Sequence, residues 1–260
     1  MKSINTIKTV IVSFLLMAVT QTALAEQTIR ITNGEWQPFM SEHVPHNGMV
    51  SHIITEAFAL VGIDVEYGFF PWKRAYDLAK KGSWDGSAAW RDAEERRANF
   101  LYSEPVTETT WAYFHLKSSP FDWTTIDDLK SLKIGATLQY DYGAEFDKAE
   151  AEGRIKTERV ASDELSLKKL LKGRIDIFVG EPLVTYAQIR DNFSEEEAAM
   201  FTHNPQTFDP NSLHLVFSRQ VETSEQMRDK FNEGLQKLKE TGRYDEIIAD
   251  GLAGKYVRSN

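Results

Sequence analysis

Histidines and a carboxylate are the side chains here that could gather a metal. His43 and His46 stand three apart, with His52 and Glu56 close behind, and imidazole with carboxylate is a donor set that zinc accepts. Pro45 and the Asn47-Gly48 turn put that stretch in a loop ahead of a helix, so surface histidines are the plainer reading. Nucleophilic chemistry has little to start from. The chain has no Cys, which excludes thiol catalysis. No Gly-x-Ser-x-Gly elbow, Walker A loop or Gly-x-Gly-x-x-Gly turn occurs. What remains is a set of arginines, acids and aromatic residues, and these need a frame to bring them together.

That frame begins after residue 25. Lys2 and Lys8 precede an apolar run from Val10 to Val19 and then Ala23-Leu24-Ala25, the layout of a cleaved secretory leader. The run is too short to span a bilayer, which takes roughly 20 residues. The mature chain is expected to begin near Glu26 and, with no Cys to carry a lipid, to be free in a bacterial periplasm. Of 260 residues, 42% are hydrophobic and 27% charged, a composition able to bury a large core. The net charge of −9, with no basic stripe, argues against nucleic acid as a partner.

Thr28–Thr32 alternates as a strand does and stops at Asn33-Gly34. Val50, Ile53, Ile54, Ala57, Phe58 and Val61 recur at helical spacing, with Gly62 where a left-handed cap belongs. A strand over Val65–Phe69 completes a unit that builds a parallel sheet. Trp72–Lys81 reads as helix, and the run to Trp90 as a second unit. Tyr113–Leu116 is expected to cross over as a strand, and Thr124–Leu129 to form a short capped helix. The pattern then restarts, with a strand over Lys133–Thr137, a helix capped by Ser162, and a strand over Ile175–Val179. Phe201–Asn211 is polar and Pro-bearing, Leu213–Phe217 is a strand, and Thr223 with Gln226 suggests a capping box for a helix carrying Met227, Phe231, Leu235 and Leu238. Ligands in open α/β sheets sit beyond the carboxyl ends of the strands. The segments to inspect are therefore Asn33–Phe39, Pro71-Trp72, Ala88–Arg96, Leu138–Gly143 and Gly180–Thr185.

Those segments resemble the periplasmic solute-binding proteins of polar amino-acid ABC transporters, solute-binding family 3, over nearly the whole mature chain. The marks are Trp36-Gln37-Pro38-Phe39; Gly82-Ser83-Trp84-Asp85-Gly86 followed by Arg96 and Tyr102-Ser103-Glu104-Pro105; Asp127-Asp128-Leu129 before Lys133–Thr137; Gly173-Arg174-Ile175-Asp176 through Gly180-Glu181; and Thr241-Gly242 through Ile247. Pro71-Trp72-Lys73-Arg74-Ala75 is similar to a subset of that family. The resemblance implies an α/β, two-lobed, type II periplasmic-binding-protein-like fold, each lobe a mixed sheet flanked by helices and joined by two hinge strands. It divides the chain into a leader (1–25), lobe 1 (26–109 and 211–260) and lobe 2 (110–210). The implied role is capture of a small amino acid or related carboxylate by hinge closure and delivery to an inner-membrane ABC permease, by a monomer without cofactor or metal.

Residue by residue, the ligand carboxylate falls to Arg96, the amine to Glu181, and the flanking aromatic positions to Trp36 and Trp72. Arg74 would line the cleft or lie on a solvated helix face. Ala93 and Arg91 replace two hydroxyls of the family pattern. A second guanidinium would suit a second negative charge on the ligand, or else Arg91 pairs with Asp92 or Glu95. Gln139-Tyr140-Asp141-Tyr142-Gly143 takes the place of a small Gly/Ser/Thr loop, and Gln139, Tyr140, Asp141 and Tyr142 are counted with Thr137 among the ligand-binding positions. Two alternatives share the same cleft. One is a small lyase of the cyclohexadienyl-dehydratase kind, with Glu181 or Asp141 as general acid. The other is a ligand sensor signalling to a membrane receptor.

Overall fold

The computed structural model describes residues 27–138 and 140–257, so the leader reading lies outside the described residues. In chain order the elements are β1 (Gln27–Asn33), α1 (Met49–Ala59), β2 (Ile63–Phe69), α2 (Trp72–Lys80), β3 (Gly86–Arg91), α3 (Glu94–Arg97) and β4 (Phe100–Leu116). Then come β5 (Lys133–Thr137), α4 (Ala144–Ala151), β6 (Lys156–Val160), α5 (Asp163–Leu171), β7 (Ile177–Gly180) and α6 (Pro182–Asn192). The chain continues through α7 (Glu195–Ala198), β8 (Phe201–Ser218), α8 (Ser224–Glu240) and α9 (Arg243–Leu252).

The strands run in the order β2-β1-β3-β8-β4-β7-β5-β6. At one end β1 pairs in parallel with β2 and β3; at the other, β5 pairs in parallel with β6 and β7. Between them lie β4 and β8, 17 and 18 residues long and antiparallel to each other. Phe100–Tyr102 pairs with Val216–Ser218 beside β3, and Ala112–Phe114 pairs with β7. The two long strands thus carry the chain from one lobe to the other.

Each lobe has its own core. Ile29, Ile31, Ile53, Phe58, Phe217 and Phe231 pack between β1, α1, β8 and α8. In the second lobe, Tyr113, Ile134, Phe146 and Val179 fill one face of the sheet, and Phe114, Leu167, Phe178 and Phe201 the other. Helix α6 joins the two: Val184 belongs to the first core and Ile189 to a core of the second lobe.

Three expectations change. Phe201–Asn211 is strand, continuous with Leu213–Phe217. Its prolines fit because Pro205 and Pro210 lie where the β4–β8 register shifts, between the pairs Phe114↔His203, Ala112↔Thr207, Trp111↔Phe208 and Thr109↔Asn211, positions that need no ladder hydrogen bond. Strand β4 likewise starts at Phe100 rather than Tyr113. The Thr223–Gln226 capping box does not form, since Thr223 makes no side-chain cap bond.

Candidate functional site

At the end of β3 the register against β8 slips between Ser87 and Trp90, and Ala89 takes a left-handed φ of 62°. A left-handed alanine costs about 1 kcal/mol, and the bulge re-aims the side chains that follow. Trp90 donates from Nε1 to Ser87 Oγ at 2.7 Å and meets Trp72 edge-on, ring centroids 5.6 Å apart at 89°. Trp72 lies across Gly34, where any Cβ would stand 2.3 Å from the indole. The Arg96 guanidinium covers Trp90 at 5.2 Å from the ring centroid and donates to the Arg91 carbonyl at 3.0 Å. Among the described residues no carboxylate pairs with the half-buried Arg96.

Arg91 has a partner that the sequence did not point to. Its Nη1 lies 2.7 Å from Oδ2 of Asp209, and its guanidinium sits 5.4 Å from the Trp111 ring centroid. The expected neighbours are otherwise placed: Asp92 binds Arg97, and Glu95 is exposed. Arg74 is exposed too, its guanidinium 5.0 Å from the Phe70 ring.

From the second lobe comes the stretch after β5. Thr137 donates its hydroxyl to the buried carboxylate of Asp163, and the Tyr142 hydroxyl accepts from the Thr137 amide at 2.7 Å. Tyr142, expected to face the ligand, is fully buried in the second-lobe core, because its hydroxyl is used to hold the end of β5. Tyr140 is half-buried and tilted toward Trp111 at 6.1 Å. With Trp36, Gln37 and Gln188 it lines a cavity of about 630 Å³ between the lobes. Asp141 is exposed and accepts from the Gly143 amide at 2.8 Å. Gln139 lies outside the described residues.

Two residues missed in the sequence hold this stretch. Arg159 donates to the carbonyls of Thr137 and Tyr140 at 3.1 and 3.0 Å while paired with Glu150 at 2.7 Å. Asp163 binds Thr137 and, from α6, Gln188 at 3.3 Å; burial pushes its carboxyl up to about 6. An acid in the first turn of a helix is ordinary, so no local signal marks it.

Glu181 caps α6, accepting from the Val184 amide at 2.8 Å, and burial pushes its carboxyl up to about 7. It lines a second cavity of about 490 Å³ with Phe39, Thr107, Thr110 and Leu183, to which neither Trp36 nor Arg96 contributes. The structure therefore gathers Trp72, Arg91 and Arg96 at the end of β3, and Trp36 with Tyr140 across the cleft. Glu181 lines a different cavity from Trp36 and Tyr140, and Arg96 lines neither of the two. The histidine set also separates. His52 bonds Tyr256 and Glu56, each at 2.8 Å, with His46 stacked on it, whereas His43 lies near exposed Glu35 and Glu42.

The sequence profile of the bacterial extracellular solute-binding proteins, family 3, matches residues 29–250. Among solved structures, the chain is similar to an ancestral arginine-binding protein bound to arginine, with TM-score 0.68 and 20% identity over 86% of this chain and 97% of that one. It is similar to a histidine kinase sensor domain described as having similarity to periplasmic binding proteins, with TM-score 0.69 and 18% identity over 90% of this chain and 99% of that one. It is also similar to ArtJ, the arginine-, lysine-, histidine-binding protein of Geobacillus stearothermophilus, with TM-score 0.64 and 18% identity over 87% and 96%. At such identities the likeness establishes the fold, that of type II periplasmic binding proteins. No curated protein matches the chain.

Proposed function

The chain belongs to the bacterial extracellular solute-binding proteins, family 3, and on that premise we propose that it captures a small amino acid or closely related monocarboxylate between its lobes. The observation that carries the reading is Arg96: a guanidinium laid on an indole, donating to one carbonyl and paired with no acid among the described residues. A planar fork of that kind matches a carboxylate bidentately. Trp36 and Trp72 flank the ligand body, and Tyr140 meets it from the second lobe. The ligand amine is assigned to the indole faces, which attract a cation, because the Glu181 carboxylate is engaged with the start of α6.

In this reading the leader is removed near Glu26 and the mature monomer works in the periplasm. Lobe 1 is 26–109 with 211–260, lobe 2 is 110–210, and β4 and β8 flex between them. Closure over the ligand presents both lobe surfaces to an inner-membrane ABC permease. A ligand shifts the lobes only by its differential affinity for the closed arrangement. The family role is binding, and the site is read for capture without turnover.

The test is a thermal-shift screen of residues 26–260, refolded to strip bound solute, against single amino acids, small di-acids and aromatic amines. A ligand at about 100 times its Kd adds about 2.7 kcal/mol. A rise in midpoint with an amino acid or close monocarboxylate supports the proposal. A rise confined to aromatic amines without a carboxylate, or no rise at all, contradicts it.

A further inference from the structure

We infer that Asp209 is a specificity determinant, a built-in carboxylate that occupies Arg91 and bars the cleft to solutes carrying a second negative charge. The inference rests on the reading that Arg96 takes the solute's first carboxylate. Three elements converge to hold Asp209 in place. It sits in the β8 bulge opposite Thr110, at a left-handed φ of 49° that Asp tolerates better than most residues. Its carboxylate meets Arg91 Nη1 at 2.7 Å, and Arg91 in turn lies over Trp111. Against its other side comes Gly143, at φ 94° ahead of α4, where any Cβ would stand 2.5 Å from the Asp209 carboxyl carbon. Only a glycine there lets the turn ahead of α4 come this close to the carboxylate.

The pair is not a solvated surface contact. The side chains of Arg91 and Asp209 are 17% and 28% exposed, so water screens them poorly and the loss of either charge leaves the other uncompensated. The Arg96 side chain donates to the main-chain carbonyl of Arg91, which brings the two residues together at the end of β3. A dicarboxylate anchored on Arg96 would find its natural second partner in Arg91, and would meet the Asp209 carboxylate already there. Like charges so placed oppose binding. A zwitterion or monoanion meets no such conflict. The discrimination is therefore by repulsion as much as by fit.

The test uses succinate and succinamate, which have nearly the same shape but differ by one charge, with ionic strength held constant. Calorimetric titration compares wild type, Asp209→Asn, Asp209→Gly and the double variant Asp209→Asn/Arg91→Gln, all on residues 26–260. Asn and Gly both accept the left-handed φ, so at least one of them is expected to fold, as checked by circular dichroism. The expected result is a gain of about tenfold or more in succinate affinity on removing the Asp209 charge, a much smaller change for succinamate, and loss of the gain in the double variant. No selective gain in either folded variant, a gain that survives loss of Arg91, or a wild type that already prefers succinate would each overturn the inference. The two readings fail separately. A barren amino-acid screen removes the proposed solute class while leaving a succinate gain through Arg91 intact, and an absent gain removes Asp209 while leaving the screen's hits standing.

Discussion

Asp163 and Gln188 join two helices beside the cleft: Nε2 of Gln188 on α6 donates to Oδ2 of Asp163 at 3.3 Å, while the other carboxylate oxygen takes the Thr137 hydroxyl. The contact ties the residue that ends β5 to the helix that bridges the lobes. It also keeps a carboxylate out of water, and that has a consequence for pH.

Burial pushes Asp163 up to about 6 and Glu181 up to about 7, against about 4 in an unfolded chain. Between those values the native state holds more protons than the unfolded state, so stability falls as pH rises from about 4 to about 7 and stays at the lower level above. Glu56 and Glu150 act with the opposite sign. Hydrogen bonds from Arg243 and Arg159 hold them below the usual carboxylate range, and their contribution fades only in stronger acid. His52 and His203, held below the ordinary imidazole value by burial, act against this by adding stability as pH rises, so the test is a comparison of proteins: between about pH 5 and about pH 7.5 the midpoint of Asp163→Asn is expected to gain on that of the wild type. A pH slope unchanged in the variant contradicts the burial argument.

Arg159 is expected to control the stretch after β5. Replacing it by Met removes the donors to the Thr137 and Tyr140 carbonyls and unpairs Glu150, which at charged-hydrogen-bond values costs about 2 kcal/mol. Amide exchange over residues 138–143 should accelerate before the rest of the second lobe does. Exchange there at the wild-type rate would show that the arginine does not tether the loop.

Much of the frame was legible. Ser162 caps α5 through the Leu165 amide, β5 spans the expected Lys133–Thr137, and Met227, Phe231, Leu235 and Leu238 are buried along α8. Each of these rests on neighbours within a turn or two. Helix α6 escaped because its buried residues serve two cores, so no single stripe runs along it. The second half of the crossover, Phe201–Asn211, escaped because its prolines occupy bulges that only the pairing with β4 defines. In the candidate site, Trp72 and Arg96 stood in segments that follow strands, but Asp209 and Asp163 matter through partners 118 and 26 residues away, beyond any local pattern.

Gly34 sets the position of Trp72. A methyl group there would stand 2.3 Å from the indole, so Gly34→Ala should swing Trp72 aside at a stability cost of about 1 kcal/mol. If Trp72 flanks the ligand, solute affinity falls about tenfold, equivalent to about 1.4 kcal/mol. Unchanged affinity would place Trp72 outside the binding surface.

The central claim is that Arg96 holds the solute's carboxylate, and the most direct measurement is the calorimetric affinity of the amino acid found in the screen for wild type and Arg96→Ala. Breaking a buried charge pair of this kind costs about 3 kcal/mol, so the account predicts a loss of about 100-fold or more, partly restored in Arg96→Lys, with little change in the ligand-free thermal midpoint. An Arg96→Ala protein that folds and binds within about threefold of wild type, a difference under about 1 kcal/mol, would contradict it.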